Sequence, residues 1–128
     1  MNATDTLRGL RVLIAEDNRL IGKLLREILE GLGCVVIGPV PDLDELMAVI
    51  EADGFDAALL DIQLADANVF PAASKLASLG VPFIVTSAGG SWADLPPALA
   101  SAPRLDKPYD AEELRMAMDA AFRSRAGA

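Results

Sequence analysis

The 128 residues contain no histidine. That absence removes Ser-His and Cys-His nucleophile pairs, and His-ligated zinc, from the chemistry open to this chain. Cysteine occurs once, at Cys34, so neither an internal disulfide nor a thiolate zinc site can form. In the apolar stretch Cys34-Val35-Val36-Ile37 its expected role is that of a small buried hydrophobe. Long apolar runs are also missing: none approaches the roughly 18 residues of a membrane span, and Met1 to Arg8 lacks the apolar region of a signal peptide. Basic residues are the minority, 11 Lys and Arg against 19 Asp and Glu, for a formal charge of −8. Such a balance argues against nucleic-acid binding, which needs a basic stripe. The expectation is a cytoplasmic protein that engages neither nucleic acid nor membrane. Carboxylates, hydroxyls and a few lysines remain to do chemistry, an inventory that suits a hard, oxygen-liganded cation such as Mg²⁺.

Hydrophobic residues make up 52% of the chain, enough for one packed domain of this length. Short apolar runs alternate with amphipathic stretches. Residues 10–15 read as a strand stopped by Glu16-Asp17-Asn18. Over 19–32, apolar residues at Leu20, Ile21, Leu24, Leu25, Ile28, Leu29 and Leu32 form a helical stripe, with Asn18 as N-cap and Gly33 just past the end. A second strand is expected over 34–38, bounded by Gly38-Pro39, and a helix opens at Pro41-Asp42 and ends near Asp53-Gly54. A third strand, 57–60, runs into Asp61. A helix over about 69–79 and a fourth strand over 83–86 follow. Gly89-Gly90 and Pro96-Pro97 predict a short or irregular fourth helix within 88–100. Residues 102–105 read as a fifth strand, and Asp110 caps a last helix through Leu114, Met118 and Phe122. Residues 1–6 and 124–128 read as short tails.

Apolar strands separated by helices predict a parallel sheet covered on both faces, hence an α/β, doubly wound, five-stranded domain. In such sheets ligands bind at the carboxyl ends of the strands. Glu16 and Asp17 follow the first expected strand, Asp61 the third, Ser87 the fourth, and Asp106 and Lys107 the fifth. Converging carboxylates repel unless a cation lies between them, so Glu16, Asp17 and Asp61 suggest a Mg²⁺ site. A carboxylate can also be a nucleophile toward phosphorus. Phosphoryl transfer is mostly positioning and charge neutralisation: the cation, Lys107 and the Ser87 hydroxyl could each take one phosphoryl oxygen. Taken singly, each residue has a plainer reading, as a solvated turn acid, a surface lysine or a turn serine. Their joint order at four strand ends is what carries the signal.

The segments Val12-Leu13-Ile14-Ala15-Glu16-Asp17-Asn18, Ala58-Leu59-Leu60-Asp61-Ile62-Gln63-Leu64, Pro82 through Ser87-Ala88, and Asp106-Lys107-Pro108-Tyr109 resemble the response-regulator receiver family over nearly the whole chain. The resemblance implies a flavodoxin-like three-layer sandwich of strand order 2-1-3-4-5, with a receiver domain over 7–124 and no output domain. It implies that Asp61 accepts a phosphoryl group from a histidine kinase or histidine phosphotransfer protein. Asp17 would bind Mg²⁺ directly, Glu16 through water, and Gln63 through its main-chain carbonyl. By the same resemblance Ser87 would be the switch hydroxyl, preferred to Thr86 because it lies five residues past Pro82, and Lys107 the phosphate-pairing lysine, with an expected cis bond to Pro108. The expected output is a change in contact with a downstream protein, from a monomer or weak homodimer, rather than an enzymatic turnover.

Residues 82–90 are also similar to a variant subgroup, mostly stand-alone receivers of alphaproteobacteria, with a Pro-Phe-x-Phe-Ala-Thr-Gly-Tyr-Gly signature; Val85, Thr86, Ala88 and Gly89 differ from it. Three departures from the common pattern fit the variant. The loop glycine is missing from 65–70, two prolines interrupt the fourth helical region, and Arg104 stands where an aromatic is usual. A charged Arg104 cannot repeat the inward swing of a ring. It can stay exposed, pair with an acid, or leave the outer switch to another residue such as Tyr109. Two other readings compete. One is a degenerate receiver that docks partners without phosphorylation, and the other is an aspartate-nucleophile phosphatase, whose acid spacing after the first strand does not match Glu16-Asp17.

Overall fold

A computed structural model describes residues 7–65, 67–87 and 97–126. The apolar runs become strands because parallel pairing buries them on both faces. Every residue of β3 (Ala57–Asp61) and β6 (Phe83–Ser87) is buried, as is β1 (Arg11–Ala15) after its first residue. They form the middle of a five-stranded sheet closed at its edges by β2 (Val35–Val40) and β7 (Arg104–Asp106). All four pairings are parallel. Two short antiparallel strands, β4 (Gln63–Leu64) and β5 (Ala67–Asn68), form a separate hairpin. With that hairpin set aside, the sheet order β2-β1-β3-β6-β7 is the expected 2-1-3-4-5.

Strand alternation splits the core in two. Leu13, Leu60 and Val85 face α2 (Leu43–Ala52) and α3 (Phe70–Ser78) through Leu46, Ile50, Ala73 and Leu76. Val12, Ile14, Leu59 and Ile84 face α1 (Arg19–Gly31) and α5 (Ala111–Ala126) through Leu25, Leu29, Leu114, Met118 and Phe122. Helices on both faces of a parallel sheet make the three-layer α/β sandwich.

Capping fixes where the helices begin. Asn18 Oδ1 accepts from the Ile21 N–H at 3.0 Å, and Asp42 Oδ1 accepts from the Glu45 N–H at 2.8 Å. At α5, Asp110 Oδ1 accepts from the Glu113 N–H at 2.7 Å while Glu113 Oε1 accepts from the Asp110 N–H at 3.3 Å, a reciprocal capping box. Helix α4 (Pro97–Ala100) is a single short turn, and Gly89, Gly90 and Pro96 lie outside the described residues.

Several boundaries differ from the sequence reading. Strand β2 continues through Gly38-Pro39, a cis bond, to Val40. Proline is tolerated there because β2 is an edge strand and its pairing with β1 shifts register between Leu13 and Ala15. Strands β6 and β7 run on to Ser87 and Asp106, which pair with each other; their polar side chains had looked like strand ends. Strands β4 and β5 were not foreseen, since two residues carry no periodicity. Ala65 in their turn adopts φ 55°, the conformation that the missing loop glycine would have eased. Helix α5 runs to Ala126 where a tail was expected. Finally, Leu20 and Leu24 lie on the solvent side of the α1 stripe, exposed by 76% and 55%. Among the described residues, no helix is long and apolar enough to cross a membrane.

Candidate functional site

Parallel strands bring their carboxyl ends to one edge of the sheet. Glu16 and Asp17 leave β1 there, Asp61 closes β3, Ser87 closes β6, and Lys107 follows β7. The Lys107 ammonium occupies the centre, with Nζ 3.0 Å from Glu16 Oε1 and 3.0 Å from Asp61 Oδ2. Glu16 is almost wholly buried and Asp61 nearly so, while Asp17 stands at the solvent edge. Carboxylate oxygens of Glu16, Asp17 and Asp61 all lie within 4.8 Å of one another.

Main-chain donors hold these acids. The Asn18 N–H donates to Glu16 Oε2 at 3.1 Å, and the Gln63 N–H donates to Asp61 Oδ1 at 3.3 Å. The loop after Asp61 is itself tied down, because the Ile62 N–H donates to the Thr86 carbonyl at 2.9 Å and the Val69 N–H to the Ile62 carbonyl at 3.0 Å. Across the other gap, the Lys107 N–H donates to the Ser87 carbonyl at 2.7 Å. The acids and the lysine therefore project from strand ends and bonded turns, the rigid setting a preorganised site needs.

The electrostatics follow from burial. Glu16 has its pKa raised, chiefly by loss of solvation and further by the charge of Asp61; the Asn18 N–H and Lys107 act the other way. For Lys107, burial works to lower the pKa, but hydrogen bonds to Glu16 and Asp61 and the charges of both outweigh it, so the ammonium form is favoured. Three carboxylates gather in this pocket, and the one ammonium pairs with two of them, Glu16 and Asp61. The excess of negative charge and the all-oxygen donor set fit a hard divalent cation.

Of the residues singled out in the sequence, Glu16, Asp17, Asp61 and Lys107 meet in this one pocket. Ser87 lies buried at its edge, joined through the main chain to Lys107. Gln63 reaches the pocket through its backbone, its side chain being exposed. The Lys107-Pro108 bond is cis. Arg104 is exposed, its Nη2 donating to the Ala100 carbonyl at 3.0 Å, at the end of α4. Tyr109 is half-buried, and its hydroxyl is buried with no hydrogen-bond partner among the described residues; burial pushes its pKa up to about 12.

Sequence reasoning gave Asn18 one task, as helix cap, and missed its main-chain bond to Glu16. The adjacency Glu16-Asp17-Asn18 was the available signal. It also missed an open apolar cavity of about 500 Å³ between α1 and the turn before α5, lined by Ile21, Leu24, Leu25, Ile28, Pro108 and Tyr109, with Lys107 at one wall. No pattern linked α1 to that turn in the linear chain.

Comparison with known proteins agrees with this layout. Residues 12–119 match the response regulator receiver domain family. The transcriptional regulatory protein YbdJ of Bacillus subtilis (strain 168) is 30% identical over 115 residues, covering 88% of this chain and 50% of YbdJ. The chain spans half or less of the length of the curated relatives it matches. The solution structure of SdrG from Sphingomonas melonis Fr1 superposes with a TM-score of 0.75 at 31% identity, covering 94% of this chain and 98% of SdrG. The receiver domain of sensor histidine kinase PA1611 from Pseudomonas aeruginosa PAO1, solved with a magnesium ion in its active-site cleft, shares the fold at a TM-score of 0.75 and 24% identity, over 91% of this chain and 98% of that one. With its strand order, its acidic cluster and a family match over most of its length, the chain belongs to the response regulator receiver domain family of two-component signalling.

Proposed function

We propose that this chain is a phosphorylatable receiver in which Asp61 accepts a phosphoryl group from a histidine kinase or histidine phosphotransfer protein. A single observation carries the reading: Lys107 Nζ lies 3.0 Å from both Glu16 and Asp61 inside a cluster of three carboxylates. A structural ion pair needs one acid per lysine. A phosphoryl site needs excess acid for a cation and a lysine able to change partners.

The residues divide the work. Asp17 and Asp61, with Glu16 through water and the Gln63 main-chain carbonyl, would hold Mg²⁺. The bound cation supplies charge neutralisation at a phosphoryl oxygen. An Asp61 oxygen attacks phosphorus as the P–N bond to the donor imidazole breaks, and the imidazole leaves with the bonding electron pair and takes up a proton. The Lys107 ammonium turns from carboxylate to phosphoryl oxygen, and the Ser87 hydroxyl donates to another. Added negative charge at the sheet edge then biases neighbouring loops and alters contacts with a downstream protein. On this reading the chain is a switch and not an enzyme. Residues 7–124 form the receiver, acting in the cytoplasm as a monomer or weak homodimer.

The same reading places the chain in the Pro-Phe-x-Phe-Ala-Thr-Gly-Tyr subgroup, supported by residues 82–90 and by an exposed, backbone-bonded Arg104 where an aromatic is usual. The test is labelling by acetyl phosphate, read by intact mass, on the native chain and on Asp61→Asn, with and without Mg²⁺. An adduct that needs both Asp61 and Mg²⁺ is expected. No adduct on the native chain would leave the alternative, a docking module that works without phosphorylation.

A further inference from the structure

Glu16 is held from one direction that neither the acids nor Lys107 explain. Its main-chain N–H donates to the Val40 carbonyl at 3.1 Å, so the loop after β1 is tied to the end of β2. That end of β2 is pressed against α1. A Cβ built on Gly22, buried within α1, would lie 2.7 Å from Pro39 Cγ and 3.0 Å from Pro39 Cβ, closer than real side chains come. The same Cβ would lie 3.8 Å from Glu16 Cγ. Four residues on, Arg26 reaches from α1 to the same turn. Its Nη1 donates to the Gly38 carbonyl at 2.6 Å while its Nε pairs with Glu30 at 3.2 Å. Glycine inside a helix costs about 1 kcal/mol relative to alanine, so its place here is explained by the space it leaves.

We propose that Gly22 and Arg26 are positioning residues for Glu16. Together they clamp the Gly38-Pro39-Val40 turn onto α1 and so set the affinity of the acidic pocket for a divalent cation. The inference rests on the proposed Mg²⁺ role of Glu16, Asp17 and Asp61. Groups that orient metal-binding residues typically change metal affinity by about 10–100-fold when lost. An added methyl at position 22 must push the proline ring away, and the ring is rigid. The displacement passes through Val40 to the backbone of Glu16.

The test titrates Mg²⁺ alone into the full chain by calorimetry, with unfolding midpoints measured in EDTA and the Mg²⁺ dependence of Asp61 labelling measured alongside. Gly22→Ala should weaken Mg²⁺ binding about tenfold and raise the Mg²⁺ concentration for half-maximal labelling, while the labelling rate at saturating Mg²⁺ holds. Gly31→Ala is the matched control, because a Cβ there meets nothing within 4 Å; it should bind Mg²⁺ as the native chain does. Arg26→Ala, at an exposed side chain, should weaken Mg²⁺ binding with the EDTA midpoint unchanged, and it decides the matter if Gly22→Ala does not fold. Equal Mg²⁺ affinity in the native chain and both clamp variants overturns this inference and leaves the phosphoacceptor reading intact. Native chain that binds Mg²⁺ with the expected variant losses, yet takes no phosphoryl group, overturns the phosphoacceptor reading and leaves the clamp standing.

Discussion

Replacing Lys107 by methionine keeps the length and apolar stem of the side chain and deletes its charge. Two ion pairs at 3.0 Å go with it. At an effective dielectric of about 20, each such contact is worth about 5 kcal/mol before the cost of desolvating the ions. The partners left behind are nearly inaccessible, Glu16 with 2% of its side chain exposed and Asp61 with 10%. Removing one partner of a buried pair costs about 3–5 kcal/mol, because the surviving charge has neither water nor counter-ion. Lys107→Met should therefore lose about 3 kcal/mol in EDTA at neutral pH, or about 10 °C in unfolding midpoint for a domain of this size. The assay is urea denaturation followed by circular dichroism.

Three dependences make the reasoning refutable. Adding Asp61→Asn to Lys107→Met should recover part of the loss, since it relieves the repulsion between two buried carboxylates. Millimolar Mg²⁺ should recover part as well, by binding the folded state alone. Acid should narrow the gap. Burial raises the pKa of Glu16 in the folded state, and removing Lys107 removes an influence that opposed the rise. A group with a raised folded pKa contributes its stability below its unfolded value and loses it as pH climbs through the folded one. The deficit of Lys107→Met relative to the native chain should thus shrink as pH falls toward about 5. A deficit under about 1 kcal/mol, or one indifferent to Asp61→Asn, Mg²⁺ and pH, would show that Lys107 is not the counter-charge of this pocket.

Two further expectations follow from buried groups. Burial pushes the Cys34 thiol up to about 11, so near about pH 8 the folded chain should react with a thiol reagent far more slowly than the urea-unfolded chain; equal rates would place Cys34 outside the core. Tyr109 buries a hydroxyl that has no hydrogen-bond partner among the described residues, so Tyr109→Phe should be neutral or stabilising by up to about 1 kcal/mol in thermal unfolding. A loss of more than about 1 kcal/mol would reveal a hydrogen bond at that oxygen.

The alternation of apolar runs and amphipathic stripes was enough to determine a doubly wound α/β domain, because only a parallel sheet covered on both faces buries strands such as Ala57–Asp61 throughout. The position of Glu16, Asp17, Asp61 and Lys107 just past apolar runs determined which side chains meet, since parallel strands end on one edge. Local chemistry also determined the helix starts at Asn18, Asp42 and Asp110, where the cap lies within three residues of its partner. Contacts between segments distant along the chain were decided only by the fold. Leu20 and Leu24 share the apolar period of Leu25 and Leu29, and only the placement of α1 against the sheet left the first pair in solvent. Arg104 had several sequence-compatible surroundings, and only the fold brought its guanidinium to the Ala100 carbonyl. That Gly22 faces Pro39, and that Arg26 reaches Gly38, depends on how α1 and an edge strand approach each other. The sequence records neither the distance nor the direction of that approach, which is set by how the side chains of both core layers pack.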